Sequence, residues 1–286
     1  MHSLETELAR ARELDEAELA DAVETIGFEC TRCGACCKAE ADDPHTATVF
    51  PDEVRELQGG GDTRESGDVP GDGGVERSSE ADYDWRDVAR PMPYGLTDGP
   101  DGPEGETFEW ALQTDACGDC TFYEEGDDGM GACTVHEDRP LVCRTYPFSV
   151  ALGGTARPMG DAVDEAGMVR AHECEGLGRD ITRADAEELA AALKERSVRE
   201  LEEAIAVRDG YEPATPDPGE VVVHDSEGAK RPDGRPLDAP AGGAPADVPA
   251  EGDRSDAPGT TDDRGGAASG GGGADADPGG DGSDRR

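Results

Sequence analysis

Cys30-Thr31-Arg32-Cys33-Gly34-Ala35-Cys36-Cys37 places four thiols in eight residues. Cys117, Cys120, Cys133 and Cys143 follow as a second set, and Cys174 completes the nine cysteines. A Cys-x2-Cys step lets two thiolates reach one ion from a single tight turn, and Cys30, Cys33 and Cys36 take that step twice. Gly34 lets the backbone fold closely around a metal. The second set, Cys117-x2-Cys120-x12-Cys133-x9-Cys143, has the spacing of a ribbon or knuckle site. A lone cysteine is ordinarily a small buried hydrophobe. Eight of nine in two short windows read instead as metal ligands, with disulfides the weaker competitor. Adjacent side chains diverge, so Cys36 and Cys37 are expected to serve different metals or a bridged centre.

Thiolate is a soft donor, suited to zinc, cuprous copper or iron–sulfur centres. Cys30, Cys33 and Cys36 reproduce the first three positions of the bacterial ferredoxin run Cys-x2-Cys-x2-Cys-x3-Cys-Pro. Glu40 stands where the fourth cysteine belongs and Cys37 comes early, so a plain ferredoxin is disfavoured. An iron–sulfur cluster or zinc both stay open.

Around this framework the chain reads as α+β. Residues 1–26 form an amphipathic helix, with Leu4, Leu8, Ala11, Leu19, Val23 and Ile26 at helical spacing and Gly27 as its stop. Pro51 to Leu57 opens with proline and acids, as short helices do. Residues 58–81 are rich in glycine and charge and read as a loop insertion. Residues 107–112 alternate as a strand, and Gly153-Gly154 sets up a hairpin between 149–152 and 155–159. Residues 168–172 make another short strand. Thr182 to Asp185 has capping-box character and opens a helix over 182–210. From 212 to 286 there is no Phe, Trp, Tyr or Cys, and the segment is expected to be a disordered acidic tail.

Cys30-x2-Cys33-Gly34-x-Cys36-Cys37, followed by Cys133-Thr134-Val135-His136-Glu137-Asp138-Arg139-Pro140-Leu141-Val142-Cys143-Arg144-Thr145-Tyr146-Pro147-Phe148, resembles the YkgJ-type cysteine-cluster family, the CxxCxxCC zinc- or iron-chelating domain. The resemblance spans about residues 27–178. It includes Cys120 in Cys-Thr-Phe-Tyr and Cys174 in Cys-Glu-Gly-Leu-Gly, which implies eight cysteines of the family pattern and leaves Cys117 as an extra. His136 stands where the family commonly has Tyr. A related cysteine block occurs in flagellin lysine N-methylases, but no glycine-rich nucleotide fingerprint accompanies it here.

Other residues are weighed against plainer roles. Arg139 and Arg144 flank thiols and could offset the negative charge of a thiolate centre, or be surface arginines. Tyr146-Pro147-Phe148 reads as core. His172, two residues before Cys174, is a candidate ligand, whereas His2, His45 and His224 read as solvated.

With 26 basic against 68 acidic residues the net charge is -42, which excludes a basic nucleic-acid interface. Three lysines stand beside 23 arginines. An acidic, lysine-poor surface of this kind suits a halophilic cytosol, where molar salt shortens the Debye length to about 3 Å. No signal peptide or apolar run long enough for a membrane is evident, so a cytoplasmic location without membrane attachment is expected. The sequence reads as a cysteine-rich, metal-stapled domain with flanking helices. Its role is metal binding, with a redox partner if the metal is iron. A structural zinc module acting as an adaptor for an unidentified protein partner is the alternative, and protein lysine methylation the third reading.

Overall fold

The computed structural model describes residues 3–39, 44–59, 83–127, 129–152, 162–164 and 167–238. These all belong to one compact unit that ends at Gly243. The architecture is α+β: helices carry one core, small sheets and short helices carry a second, and Cys37, Cys120, Cys133 and Cys143 lie with the second.

The first core is helical. The stretch read as one helix over 1–26 is two, α1 (Leu4–Arg12) and α2 (Glu16–Ile26). The break comes at Asp15, whose carboxylate accepts the Ala17 and Glu18 N–H groups and starts a fresh helix. Each half then lays its own apolar face inward. Later in the chain, α6 (Arg183–Gly210) is capped by Thr182, as its sequence predicts. Leu8, Leu19, Val23, Leu193 and Leu201 meet in this core. Phe148 and Val169 join them from a small antiparallel sheet. Full burial of such side chains contributes roughly 1.5–3 kcal/mol each.

The remaining elements are numbered in chain order. Strand β1 (Thr48–Val49) leads into α3 (Pro51–Gln58); α4 (Trp85–Val88) leads into β2 (Ala89–Pro91). Strands β3 (Thr97–Gly99), β4 (Gly102–Thr107), β5 (Trp110–Leu112), β6 (Tyr123–Glu125) and β7 (Gly131–Cys133) precede α5 (Leu141–Thr145). The sheet on the helical core is built from β8 (Phe148–Val150), β9 (Ala162–Asp164) and β10 (Val169–His172). β11 (Val221–Asp225) and β12 (Gly228–Lys230) close the described chain. The strand expected over 107–112 is therefore interrupted at Phe108-Glu109, where the chain passes from β4 into β5 and changes sheet. β5 sits between β1 and β2, while β4 sits between β3 and β11. The Gly153-Gly154 hairpin and nearly all of the 58–81 insertion lie outside the described residues.

The second core gathers Val54, Val88, Trp110, Leu112, Phe122, Val142 and Val223. Its largest correction to the sequence reading is at the C-terminal end. Residues 212–238 are ordered: Val221, Val222 and Val223 are buried, and β11 pairs in parallel with β4. The hairpin is fixed by polar groups as well. The buried Trp110 Nε1 donates to Asp225 Oδ2 at 2.8 Å, and Lys230 Nζ reaches the same carboxylate at 2.8 Å. Lys230 also lies over the Trp85 ring. Short apolar runs in an acidic, glycine-rich background hide such strands, because their partner lies more than a hundred residues upstream. Residues 239–286 lie outside the described residues. Among the described residues no helix is long and apolar enough to cross a membrane.

Candidate metal centre

Helix α2 ends at Gly27, whose φ of +78° turns the chain out of the helix. The segment that follows is zipped to the loop after Cys174. Phe28 bridges Leu177, the Glu29 N–H donates to the Gly176 carbonyl at 3.0 Å, and the Gly178 N–H donates to Gly27 at 3.0 Å. Cys30 and Cys174 are thus brought to the same end of the helical core by backbone pairing. Arg32 and Gly34 both adopt left-handed backbone conformations, with φ of +57° and +77°. They fold the cysteine run into a knuckle ending in a 3-10 turn, Ala35–Cys37. The Gly34 carbonyl accepts the Cys37 N–H at 2.8 Å, and the Arg32 carbonyl accepts that of Gly131 at 2.8 Å. A side chain at Gly34 would run into the Tyr123 ring.

The other cysteines arrive from the second core. The Cys120 N–H donates to the Cys37 carbonyl at 2.7 Å, which ties this thiol's backbone to the knuckle. Cys133 ends β7, opposite Tyr123. Cys143 rides on the short helix α5, whose first N–H, that of Leu141, is held by the buried Glu53 carboxylate at 2.8 Å. Cys120 belongs to the second core, and Cys37, Cys133 and Cys143 pack against it. The Cys36 sulfur lies 3.8 Å from that of Cys37.

The nine cysteines are all free thiols. Cys30 and Cys36 are exposed at the surface; Cys33, Cys37, Cys133, Cys143 and Cys174 are half-buried, and Cys120 is buried. Their electrostatics couple thiols from both sequence windows. The hydrogen bond between Cys36 and Cys37 draws the first thiol down to about 7 and pushes the second up. Burial pushes Cys120 up to about 11, with Cys133 and Cys36 adding to the shift. Burial also raises Cys143, helped by Cys120, Cys133 and Cys36. Cys174 is raised by burial and then by Cys33, Cys36 and Cys30. Thiols from the two sequence windows thus influence one another: Cys174 is raised by burial and by Cys33, Cys36 and Cys30, and Cys37 by Cys36, Cys143 and Cys120. Cys117 is exposed at the tip of a turn in which Asp115 Oδ1 accepts its N–H at 2.8 Å and that of Asp119 at 3.0 Å.

Several flanking residues take definite places. Arg139 lies near enough to lower the Cys36 and Cys133 thiols and to offset part of the rise at Cys143, while its Nε donates to the His136 carbonyl at 2.9 Å. Arg144 is exposed. His172 is turned to Ser149, 3.0 Å from Nε2 to Oγ. The reading of His45 and His224 as solvated does not hold. His224 is buried and its Nε2 lies 2.8 Å from Glu106, while burial lowers His45, which lies beside the Cys36 backbone. Tyr146, read from sequence as core, is a neighbour of the thiols. Its hydroxyl donates to the Glu173 carbonyl at 2.5 Å, and burial, then Cys174, Cys36 and Cys33, push it up to about 12. Only its place three residues after Cys143 signals this in the sequence.

The donor set fits a soft metal: clustered thiols, with a nearby guanidinium to offset thiolate charge. Among the described residues no group of three or more Cys, His, Asp or Glu side chains is placed so that it could hold a metal ion. A family model described as "CxxCxxCC: Putative zinc- or iron-chelating domain" matches residues 29–175. No curated protein and no solved structure matches the chain.

Proposed function

The chain belongs to the CxxCxxCC family, and on that premise we propose that it chelates zinc or iron through thiolates drawn from both cysteine windows of the sequence. The observation that carries this reading is the tie between the two cysteine windows: the Cys120 N–H donates to the Cys37 carbonyl at 2.7 Å, and Cys37, Cys133 and Cys143 pack against the core cluster that contains Cys120. Cys30, Cys33, Cys36, Cys37, Cys120, Cys133, Cys143 and Cys174 would hold the metal. Bound metal supplies a cross-link between elements that otherwise meet over a thin core, and its binding energy becomes folding energy. Arg139 offsets thiolate charge, and Tyr146 and Tyr123 flank the knuckle.

A redox role in the cytoplasm is the second reading, with an iron–sulfur cluster and a redox partner. It draws on the repeated Cys-x2-Cys step and on the exposure of Cys30 and Cys36, which gives a partner close approach to the centre. Anaerobic purification in high salt, with an absorption spectrum and elemental analysis on the same sample, tests both. Thiolate-bound iron with acid-labile sulfide supports the redox reading. Colourless protein with stoichiometric zinc supports chelation with a structural role, and directs attention to protein partners. Protein that binds neither metal overturns the proposal.

A further inference from the structure

The adjacent cysteines of the knuckle are read from sequence as diverging, and the structure places them otherwise. The Cys36 and Cys37 sulfurs lie 3.8 Å apart, and among the described residues theirs is the one sulfur–sulfur hydrogen bond. Both side chains stand on the 3-10 turn Ala35–Cys37. Cys36 is exposed and Cys37 half-buried, so a reagent from solution meets Cys36 first. These two thiols are poised on each other. A bond between them would close a small ring through the shared peptide, which is trans. Cα atoms across a trans peptide are about 3.8 Å apart, whereas disulfide-linked Cα atoms ordinarily stand about 4.4–6.8 Å apart. The ring is therefore strained, and strained or exposed disulfides are the readily reduced ones. Such a bond is reversible and no permanent staple.

The turn is tied at both sides of Cys37. The Cys37 N–H donates to the Gly34 carbonyl at 2.8 Å, and the Cys37 carbonyl accepts the Cys120 N–H at 2.7 Å. Drawing the sulfurs together to a bond length of about 2.05 Å turns the Cys37 backbone and loads both hydrogen bonds. Oxidation of the knuckle is thus felt at Cys120.

We propose that Cys36 and Cys37 form a reversible vicinal disulfide by exchange with a low-molecular-weight disulfide, as a redox switch built into the knuckle. The Cys36 thiolate attacks one sulfur of the small disulfide. That S–S bond breaks, and one small thiol leaves with the proton that Cys36 gave up. The Cys37 sulfur, already in contact, then attacks the Cys36 sulfur. The protein S–S bond forms, and the second small thiol leaves with the proton of Cys37. The two protein thiols lose two electrons, and the small disulfide takes them up as two thiols. The reverse exchange restores both cysteines. On the chelation reading above, closure withdraws both thiols from the metal. The disulfide itself forms whether or not the chain chelates.

Differential alkylation of the full-length protein tests the switch. Protein stripped of metal, and a second sample as isolated, are equilibrated anaerobically with graded ratios of oxidised to reduced glutathione. Free thiols are blocked with N-ethylmaleimide, disulfides are reduced, and the released thiols are labelled with iodoacetamide. Tandem mass spectrometry of the tryptic peptide Cys33–Lys38 places the second label. The expected result is label on Cys36 and Cys37 together, before any other cysteine, in a monomeric chain, and its loss when reduced glutathione is raised again. Cys37→Ser is expected to stop at a glutathione adduct on Cys36. Second label entering first at Cys30 with Cys33, at Cys33 with Cys36, or at any other set of thiols would overturn the switch, as would no oxidation in both samples. Zinc retained by the reduced protein reads chelation separately. Retained zinc without a vicinal disulfide removes the switch alone, and a vicinal disulfide in a chain that holds no metal removes chelation alone.

Discussion

Cys36 and Cys37 show how much one residue step decides. Successive side chains share a backbone turn yet belong to different surroundings, and their contact at 3.8 Å leaves one thiol easily ionised and the other reluctant. The same crowding gives the metal-free protein a definite pH dependence. Cys120 is raised to about 11 by burial, and Cys133, Cys143 and Cys174 are raised for the same first cause. In the unfolded chain these thiols ionise near 8.5. Between those values the folded metal-free protein holds more protons than the unfolded chain, so its stability falls as pH rises. Metal reverses the sign, because ligation deprotonates the thiols and its affinity grows with pH. Thermal unfolding at pH 7.5 and pH 10 is expected to show a lower midpoint at the higher pH for stripped protein and no such loss for loaded protein. Equal behaviour of the two would refute the account. Gly176 provides a residue-scale test of the Cys174 loop. A Cβ there would strike the Glu29 carbonyl and the Phe28 ring, which pair the loop to the approach of Cys30. Gly176→Ala is expected to lower the zinc stoichiometry or weaken binding at least tenfold, measured by competition with a chromogenic chelator. A variant with unchanged affinity would mean that the loop's position is immaterial.

At the scale of elements, α5 is the part whose placement most depends on a distant side chain. It is five residues long, too short to hold itself, and carries Cys143. Glu53 of α3 is buried and accepts two backbone N–H groups, Phe50 at 2.9 Å and Leu141 at 2.8 Å. Glu53→Gln keeps the shape but offers one acceptor oxygen, so one buried N–H loses its partner at a cost of about 1–3 kcal/mol. The midpoint of urea unfolding should fall accordingly, and zinc affinity with it; a fall in affinity without any loss of stability would point to a direct role for Glu53 at the metal. Elements also show what sequence makes visible. α6 is legible because its cap at Thr182 and its apolar positions are local. The knuckle at Gly34 is legible for the same reason. The break between α1 and α2 is not, since the apolar stripe runs on past Asp15 and only the cap side chain interrupts it. The pairing of Cys174 with the Cys30 segment depends on isolated bridges between distant loops, and these leave no periodic trace.

The whole molecule joins a helical core to a second core that the C-terminal hairpin completes. That hairpin explains why composition misplaces the end of the folded unit. Val221 to Val223 are buried in a stretch whose neighbours are acidic, proline-rich and glycine-rich, so an average over the segment conceals three residues that matter. Two truncations separate composition from structure. Ending the chain after residue 238 removes no described element, and the product is expected to keep the full-length unfolding midpoint and metal content. Ending it after residue 212 removes β11 and β12, uncovers the β4 edge, and takes away the acceptor of the Trp110 indole N–H. Loss of three buried valines at about 1.5 kcal/mol or more each, with an unpaired buried donor at about 1–3 kcal/mol, is comparable with the whole stability of a marginally stable domain, about 5–15 kcal/mol. The shorter product is therefore expected to be unfolded or aggregated by circular dichroism and gel filtration. If it instead folds and holds metal like the longer one, the hairpin is an ornament on the domain and the boundary drawn from composition is the functional one.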